Sequence, residues 1–159
     1  MLLIIVRHGE AEPKSTGKLD EDRELTSAGS VRLRHSLDQA KEIVGGGKLD
    51  FILSSPILRA KQSAQIAKEV FDLPKIEIDR ALESESSPYD VYQSLLKFGK
   101  VERVLLVSHQ PLVSHLLASL LSWDERYFSF HAGTIAMVSV KELRENPDGV
   151  LFCLLPSQS

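Results

Sequence analysis

The sequence predicts an α/β protein whose sheet is mixed and mostly parallel. Three short apolar runs, Leu2–Val6, Phe51–Leu53 and Val104–Val107, are continuous rather than alternating. Strands buried on both faces, as in a parallel sheet, read that way. Segments with helical spacing lie between the runs, and the chain closes on two strand-like stretches around a turn signal. Such a hairpin adds antiparallel pairing to the sheet.

The elements follow in order. After the first run, Leu33, Leu37, Ala40 and Val44 recur at spacings of four, three and four, the period of a helix with one buried face. Thr26 or Ser27 caps its start and Gly45-Gly46-Gly47 ends it. After the second run, Ile57, Ala60, Ala64, Ala67 and Phe71 define another helix. Ser55 is its expected cap and Pro56 its first residue, where a missing N–H costs nothing. Lys75 to Ile78 reads as a short strand, and Pro88 to about Lys97 as a further helix. Beyond the third run, Gln110-Pro111 opens a helix carrying Val113, Leu116, Leu117, Leu120 and Leu121. Thr134 to Val140 and Val150 to Leu155 are the hairpin strands, with Asn146-Pro147-Asp148-Gly149 as their turn. The polar stretch from Glu12 to Glu24 is the longest irregular insertion, in a position suited to a lid or substrate loop.

A chain of 159 residues is expected to be one domain, residues 1–159. With 43% hydrophobic and 26% charged residues it has an ordinary globular composition, which excludes global disorder. A net charge of −3 does not suggest a nucleic-acid binder. The one cysteine, Cys153, excludes an internal disulfide and any zinc site built from several cysteines. The first apolar run stops at Arg7-His8 and lacks a charged leader, unlike a signal peptide. No stretch approaches the roughly 20 apolar residues of a membrane span. The expected location is the cytoplasm, and the default state a monomer.

In open α/β sheets, ligands bind beyond the carboxyl ends of the strands. Here those ends carry Arg7-His8-Gly9-Glu10, Ser54-Ser55-Pro56 with Arg59 one turn into the helix, and Ser108-His109-Gln110. Two arginines, imidazoles and helix N-termini suit a tetrahedral dianion such as a phosphoryl group. The phosphate-binding loops GxxxxGK[ST] and GxGxxG are missing. Cys153 has no arginine after it to cradle a thiolate site, and no aspartate follows the first strand. Histidine is the remaining candidate nucleophile. His35 reads as exposed, His115 as structural or surface, and His131 as a loop residue that only a minority reading puts at the pocket rim. Asp20-Glu21-Asp22 reads as a solvated acidic loop. A metal held by His8, His109 and a carboxylate is conceivable, but no metal-ligand spacing supports it.

Four segments together resemble the histidine phosphatase superfamily. Arg7-His8-Gly9-Glu10 resembles its RHG signature and Leu25-Thr26-Ser27-Ala28-Gly29 its LTxxG segment. Ser54-Ser55-Pro56-Ile57-Leu58-Arg59-Ala60, continuing as Lys61-Gln62-Ser63-Ala64, resembles its SSPxxRAxQTA segment. Val107-Ser108-His109-Gln110-Pro111 resembles its second histidine motif. The short chain, the run to Val113 and the segment Phe130…Gly133-Thr134 are most similar to the small phosphohistidine phosphatases of the SixA type.

The resemblance implies a three-layer α/β/α fold of the phosphoglycerate mutase kind. It implies His8 as nucleophile forming a phosphohistidine intermediate, with Arg7 and Arg59 binding the phosphoryl oxygens. His109 would be a further phosphate contact, and no metal or other cofactor is implied. Phosphoester-cleaving members carry a carboxylate acid in the region of Glu83 and Glu85, and neither matches a motif well enough to choose. Mutase members have an asparagine six residues after the nucleophile, where this chain has Lys14. The expected substrate is a phosphohistidine protein, for example a histidine-phosphotransfer domain. The alternatives are a small-molecule phosphomonoesterase using Glu83 or Glu85, and a non-catalytic phosphate-binding module.

Overall fold

A computed structural model of the chain describes residues 1–15, 17–45, 48–73, 75–144 and 147–157. Its first strand, β1 (Leu2–Arg7), shows why the apolar runs are unbroken. Leu3 and Ile5 join one core, while Ile4 and Val6 join another on the opposite face. Successive side chains of a strand point to opposite faces, so a strand covered on both sides must be apolar throughout. The same holds for β2 (Phe51–Ser54) and β4 (Arg103–Ser108). With β3 (Ile76–Ile78), β5 (Ile135–Val140) and β6 (Gly149–Leu155), the described residues form one sheet ordered β3-β2-β4-β1-β5-β6. β1 to β4 run parallel where they pair, β5 is antiparallel to β1, and β6 is antiparallel to β5.

Helices α1 (Ser27–Val44) and α2 (Leu58–Phe71) cover one face. Leu33, Leu37 and Ala40 of α1 and Ala60, Ala64 and Ala67 of α2 meet Ile4, Ile52, Leu105 and Val107 there. Helices α3 (Pro88–Leu96) and α4 (Leu112–Leu121) cover the other, with Val91, Leu95, Leu116 and Leu120 against Leu3, Leu53, Leu106 and Val138. The three-layer, mostly parallel fold is the one the sequence predicts. Among the described residues, no helix is long and apolar enough to cross a membrane.

Local chemistry sets the helix ends. Thr26 Oγ1 accepts the Gly29 N–H at 2.9 Å and caps α1. Gly29 is required for closeness: a Cβ there would lie 2.3 Å from the Glu10 carbonyl oxygen. α1 ends on Gly45 at φ 72°, the left-handed region open to glycine; Gly46 and Gly47 lie outside the described residues. Ser87 and Asp90 form a reciprocal capping box before α3. Pro111 occupies the cap position of α4. One expectation needs correcting: α2 begins at Leu58 with Ile57 as its cap residue, not at Pro56 with Ser55 as cap. The Ser55 hydroxyl is taken instead by the Ile57 N–H and the His109 ring. The C-terminal hairpin forms as expected, and Asn146 of its turn lies outside the described residues.

The topology locates a crevice. β1 and β4 are parallel neighbours with Arg7 opposite Ser108. The helix after β1 packs on one face and the helix after β4 on the other. Connections that leave adjacent strands for opposite faces open a cleft at the carboxyl edge. His8 and His109 are the next residues out.

Candidate active site

The backbone after β1 is held from three sides. The His8 N–H donates to the Ser108 carbonyl at 3.0 Å, and the Gly133 N–H donates to the His8 carbonyl at 2.9 Å. The Gly9 N–H donates to Ser63 Oγ at 3.1 Å, and that hydroxyl donates to the Arg59 carbonyl at 2.7 Å. Ser63, one turn after Arg59 on α2, thus ties the His8 loop to the helix that carries Arg59.

The His8 ring has a defined tautomer. Its Nδ1 lies 2.8 Å from the Gly9 carbonyl oxygen, which can only accept, so Nδ1 bears the proton. Nε2 is left with its lone pair and accepts from Arg59 Nε at 3.3 Å. Burial lowers the His8 pKa to about 3; the Gly9 hydrogen bond opposes this, and His109, Arg59 and Arg7 add to it. Burial, with Arg59 and Arg7, lowers His109 to about 4 against the opposing pull of Asp20. Both rings are neutral at pH 7. Their centroids lie 5.0 Å apart.

His109 Nε2 sits 2.8 Å from Ser55 Oγ, and its Nδ1 is buried with no partner. Arg7 donates through Nη1 to the Phe130 carbonyl, and its Nε is likewise buried without a partner. Unpaired polar atoms in a closed setting are costly unless a ligand completes them. Arg59 is only 8% exposed. Its outer edge donates to Asp20, through Nη1 to the backbone oxygen at 2.6 Å and through Nη2 to the carboxylate at 3.0 Å. The Ser108 hydroxyl donates to the Leu82 carbonyl at 2.7 Å and anchors the segment that brings in Ser84.

These groups line a polar pocket of about 410 Å³ with Arg7, His8, Arg59 and His109 together, as the sequence predicts. Glu10, Lys14, Asp20, Arg23, Ser84, Gln110 and Ala132 complete much of its wall. Asp20, Glu21 and Asp22 are exposed, as the solvated-loop reading expects, but their turn packs on α2 and Asp20 pairs with Arg59. Burial pushes the Asp20 carboxyl up, but Arg59, Arg23 and Lys14 outweigh it and hold it below the ordinary carboxylate range. Mixed charge in the Glu12–Glu24 insertion hinted at ion pairing, yet nothing in the sequence singles out Asp20.

Glu83 and Glu85 do not line this pocket; Ser84 between them does. Glu83 accepts from Arg80 Nε at 3.0 Å, and Glu85 is exposed. His131 and His35 are exposed, and His115 pairs with Glu125 at 3.1 Å on α4. Cys153 lies on β6 against Met137. Among the described residues, no three His, Cys, Asp or Glu side chains are grouped to hold a metal ion.

A strand-end RHG turn, a second buried histidine and two arginines around one polar pocket define a class built for phosphoryl groups. The chain belongs to the histidine phosphatase superfamily (branch 1), whose family model matches residues 3–86. It is 34% identical over 146 residues to a phosphohistidine phosphatase SixA homolog of Haemophilus influenzae, covering 87% of each chain. It is 30% identical over 150 residues to phosphohistidine phosphatase SixA of Escherichia coli, covering 89% of this chain and 87% of that one. Its fold matches the structure of protein histidine phosphatase SixA complexed with tungstate at a TM-score of 0.82 and 28% identity. That match covers 99% of this chain and 97% of the other. Together these likenesses support a hydrolase acting on phosphoryl groups.

Proposed function

We propose that the protein is a phosphohistidine phosphatase acting on a phosphorylated protein, such as a histidine-phosphotransfer domain. The observation that carries the reading is the His8 ring, neutral, with Nδ1–H held by the Gly9 carbonyl and the Nε2 lone pair beside Arg59. Nε2 attacks phosphorus; the bond from phosphorus to the substrate imidazole breaks and its electron pair returns to that ring nitrogen, which takes a proton. Water then attacks the phosphorylated His8, releasing phosphate and restoring the Nε2 lone pair.

Arg7 and Arg59 bind the equatorial oxygens, where charge builds up, so no metal is required by the scheme. Ser55 already accepts from Ile57, so its own proton is available to His109 Nε2. The His109 proton then sits on Nδ1 as a donor to phosphate. Imidazole leaves phosphorus more easily than an alkoxide, so no carboxylic acid is needed. The position of Ser84, rather than Glu83 or Glu85, in the pocket supports this reading over the phosphomonoesterase. Residues 1–159 are read as one domain, since both cores share a single sheet. A cytoplasmic location and a monomeric state belong to the same reading, tested by fractionation and sedimentation.

The experiment offers the protein a phosphohistidine transfer domain and an aryl phosphate, with a chelator present. Release from phosphohistidine that His8→Ala abolishes in folded protein is expected, with Glu83→Gln and Glu85→Gln near wild type. Release confined to the aryl phosphate and lost in either glutamine variant would establish the phosphomonoesterase instead. Release from neither substrate would leave a binding module.

A further inference from the structure

Asp20 is an anion in a pocket built for anions. Arg59 donates to its carboxylate through Nη2 at 3.0 Å and to its backbone oxygen through Nη1 at 2.6 Å. Arg23 Nε donates to the same carboxylate at 3.0 Å, and Lys14 Nζ lies 3.6 Å from it. Three of the pocket's four cations therefore converge on one carboxylate, while Arg7 keeps a buried, unpartnered Nε. The carboxylate meets these cations from the mouth of the site: the Asp20 side chain is 48% exposed, against 10% for Arg59.

The loop that carries Asp20 is anchored at its base and is otherwise held mainly by side chains. Ala11 pairs with Leu25, and the Glu12 N–H donates to the Glu24 carbonyl at 2.8 Å. Between these points Arg23 donates to the Glu12 carbonyl at 2.6 Å, and Lys18 pairs with Glu12. The Asp20 turn can give way without unzipping the strand end that presents His8.

We propose that Asp20 is a resident competitor for the phosphoryl group and sets the pocket's affinity for it. The proposal rests on the reading of this pocket as a phosphoryl site. With the pocket empty, Asp20 keeps the Arg59 fork extended and its Nε against His8. A phosphoryl dianion needs the same N–H groups and repels the carboxylate, so it binds only by pushing Asp20 aside. Product phosphate meets the same opposition, which favours its release. A phosphorylated protein offsets the opposition with contacts beyond the phosphoryl group, which free phosphate lacks.

The test measures binding of inorganic phosphate by titration calorimetry to the wild-type chain, Asp20→Asn and Asp20→Glu. Far-UV circular dichroism and urea midpoints establish that each is folded. Removing the negative charge is expected to tighten phosphate binding on the order of tenfold, the size a like charge at a half-exposed site permits. Asp20→Glu, which keeps the charge, stays near wild type. Unchanged or weaker binding by folded Asp20→Asn overturns the proposal, since it assigns Asp20 to holding the site together. Turnover of phosphohistidine with that result leaves the phosphatase reading intact. Neither turnover nor phosphate binding in any variant overturns the pocket reading itself.

Discussion

Replacing Ser63 by alanine tests whether the His8 loop is held from α2. The Ser63 hydroxyl accepts the Gly9 N–H at 3.1 Å and donates to the Arg59 carbonyl at 2.7 Å, in a site 1% exposed. In Ser63→Ala the Gly9 N–H is left buried with no acceptor, a loss of about 1–3 kcal/mol. For a domain of this size that lowers the melting temperature by roughly 3–10 °C. The Arg59 carbonyl loses only a second partner. Activity should fall as well, because Gly9 fixes the Nδ1–H of His8 through its carbonyl. The family's segment carries threonine at this position, so Ser63→Thr retains the hydroxyl and is expected to recover most of both losses. The assay pairs urea denaturation with kcat on a phosphohistidine protein. A Ser63→Ala chain within about 0.5 kcal/mol of wild type, the ordinary scatter of neutral substitutions, would refute the argument. So would a threonine variant no better than alanine.

Arg59→Lys keeps the charge but cannot reach both His8 Nε2 and Asp20, and kcat should fall by roughly 10²–10³-fold, as for a lost transition-state donor; a change under about fivefold in steady-state kinetics would contradict the fork's role. Gly29→Ala places a Cβ 2.3 Å from the Glu10 carbonyl oxygen and should cost about 1–3 kcal/mol by overpacking; an unshifted urea midpoint would show that the loop gives way freely. The buried histidines make stability fall in acid. Their folded pKa values are lowered to about 3 for His8 and about 4 for His109, below the unfolded value near 6.5. The unfolded chain therefore takes up protons first as pH drops below that value. Stability is full at neutral pH and declines toward pH 4 by up to about 1.4 kcal/mol per pH unit per histidine. Urea midpoints equal at pH 7 and pH 5 would rule out two neutral buried rings.

Much of the fold could be read because its strands are covered on both faces: Leu3 to Val6 and Val104 to Val107 carry no polar residue to confuse the pattern. The four principal candidate residues were legible because each stands at or just past a strand end or in the first turn of a helix. The roles of Ser55 and Asp20 were not. Ser55 has the spacing of a helix cap, and only the approach of His109, 54 residues away, redirects its hydroxyl. Asp20 reaches Arg59 across 39 residues through a loop whose path no periodicity encodes. Short-range rules see caps and faces, whereas contacts fixed by how separate elements meet leave no local mark.

The place of β4 bears on how the pocket comes into being. β1 and β2 carry His8 and lead to Arg59, yet they are not neighbours; β4 lies between them. A nascent chain that has left the ribosome only as far as α3 holds both halves of the proposed phosphoryl clamp and lacks the strand that joins them. The residues matched by the family model, 3–86, are in the same position. On the proposed reading, oxyanion binding would be a property of the finished sheet, acquired late in synthesis rather than built up piece by piece. An anion present during refolding stabilises only the completed form, so its uptake would report the moment at which the last central strand docks.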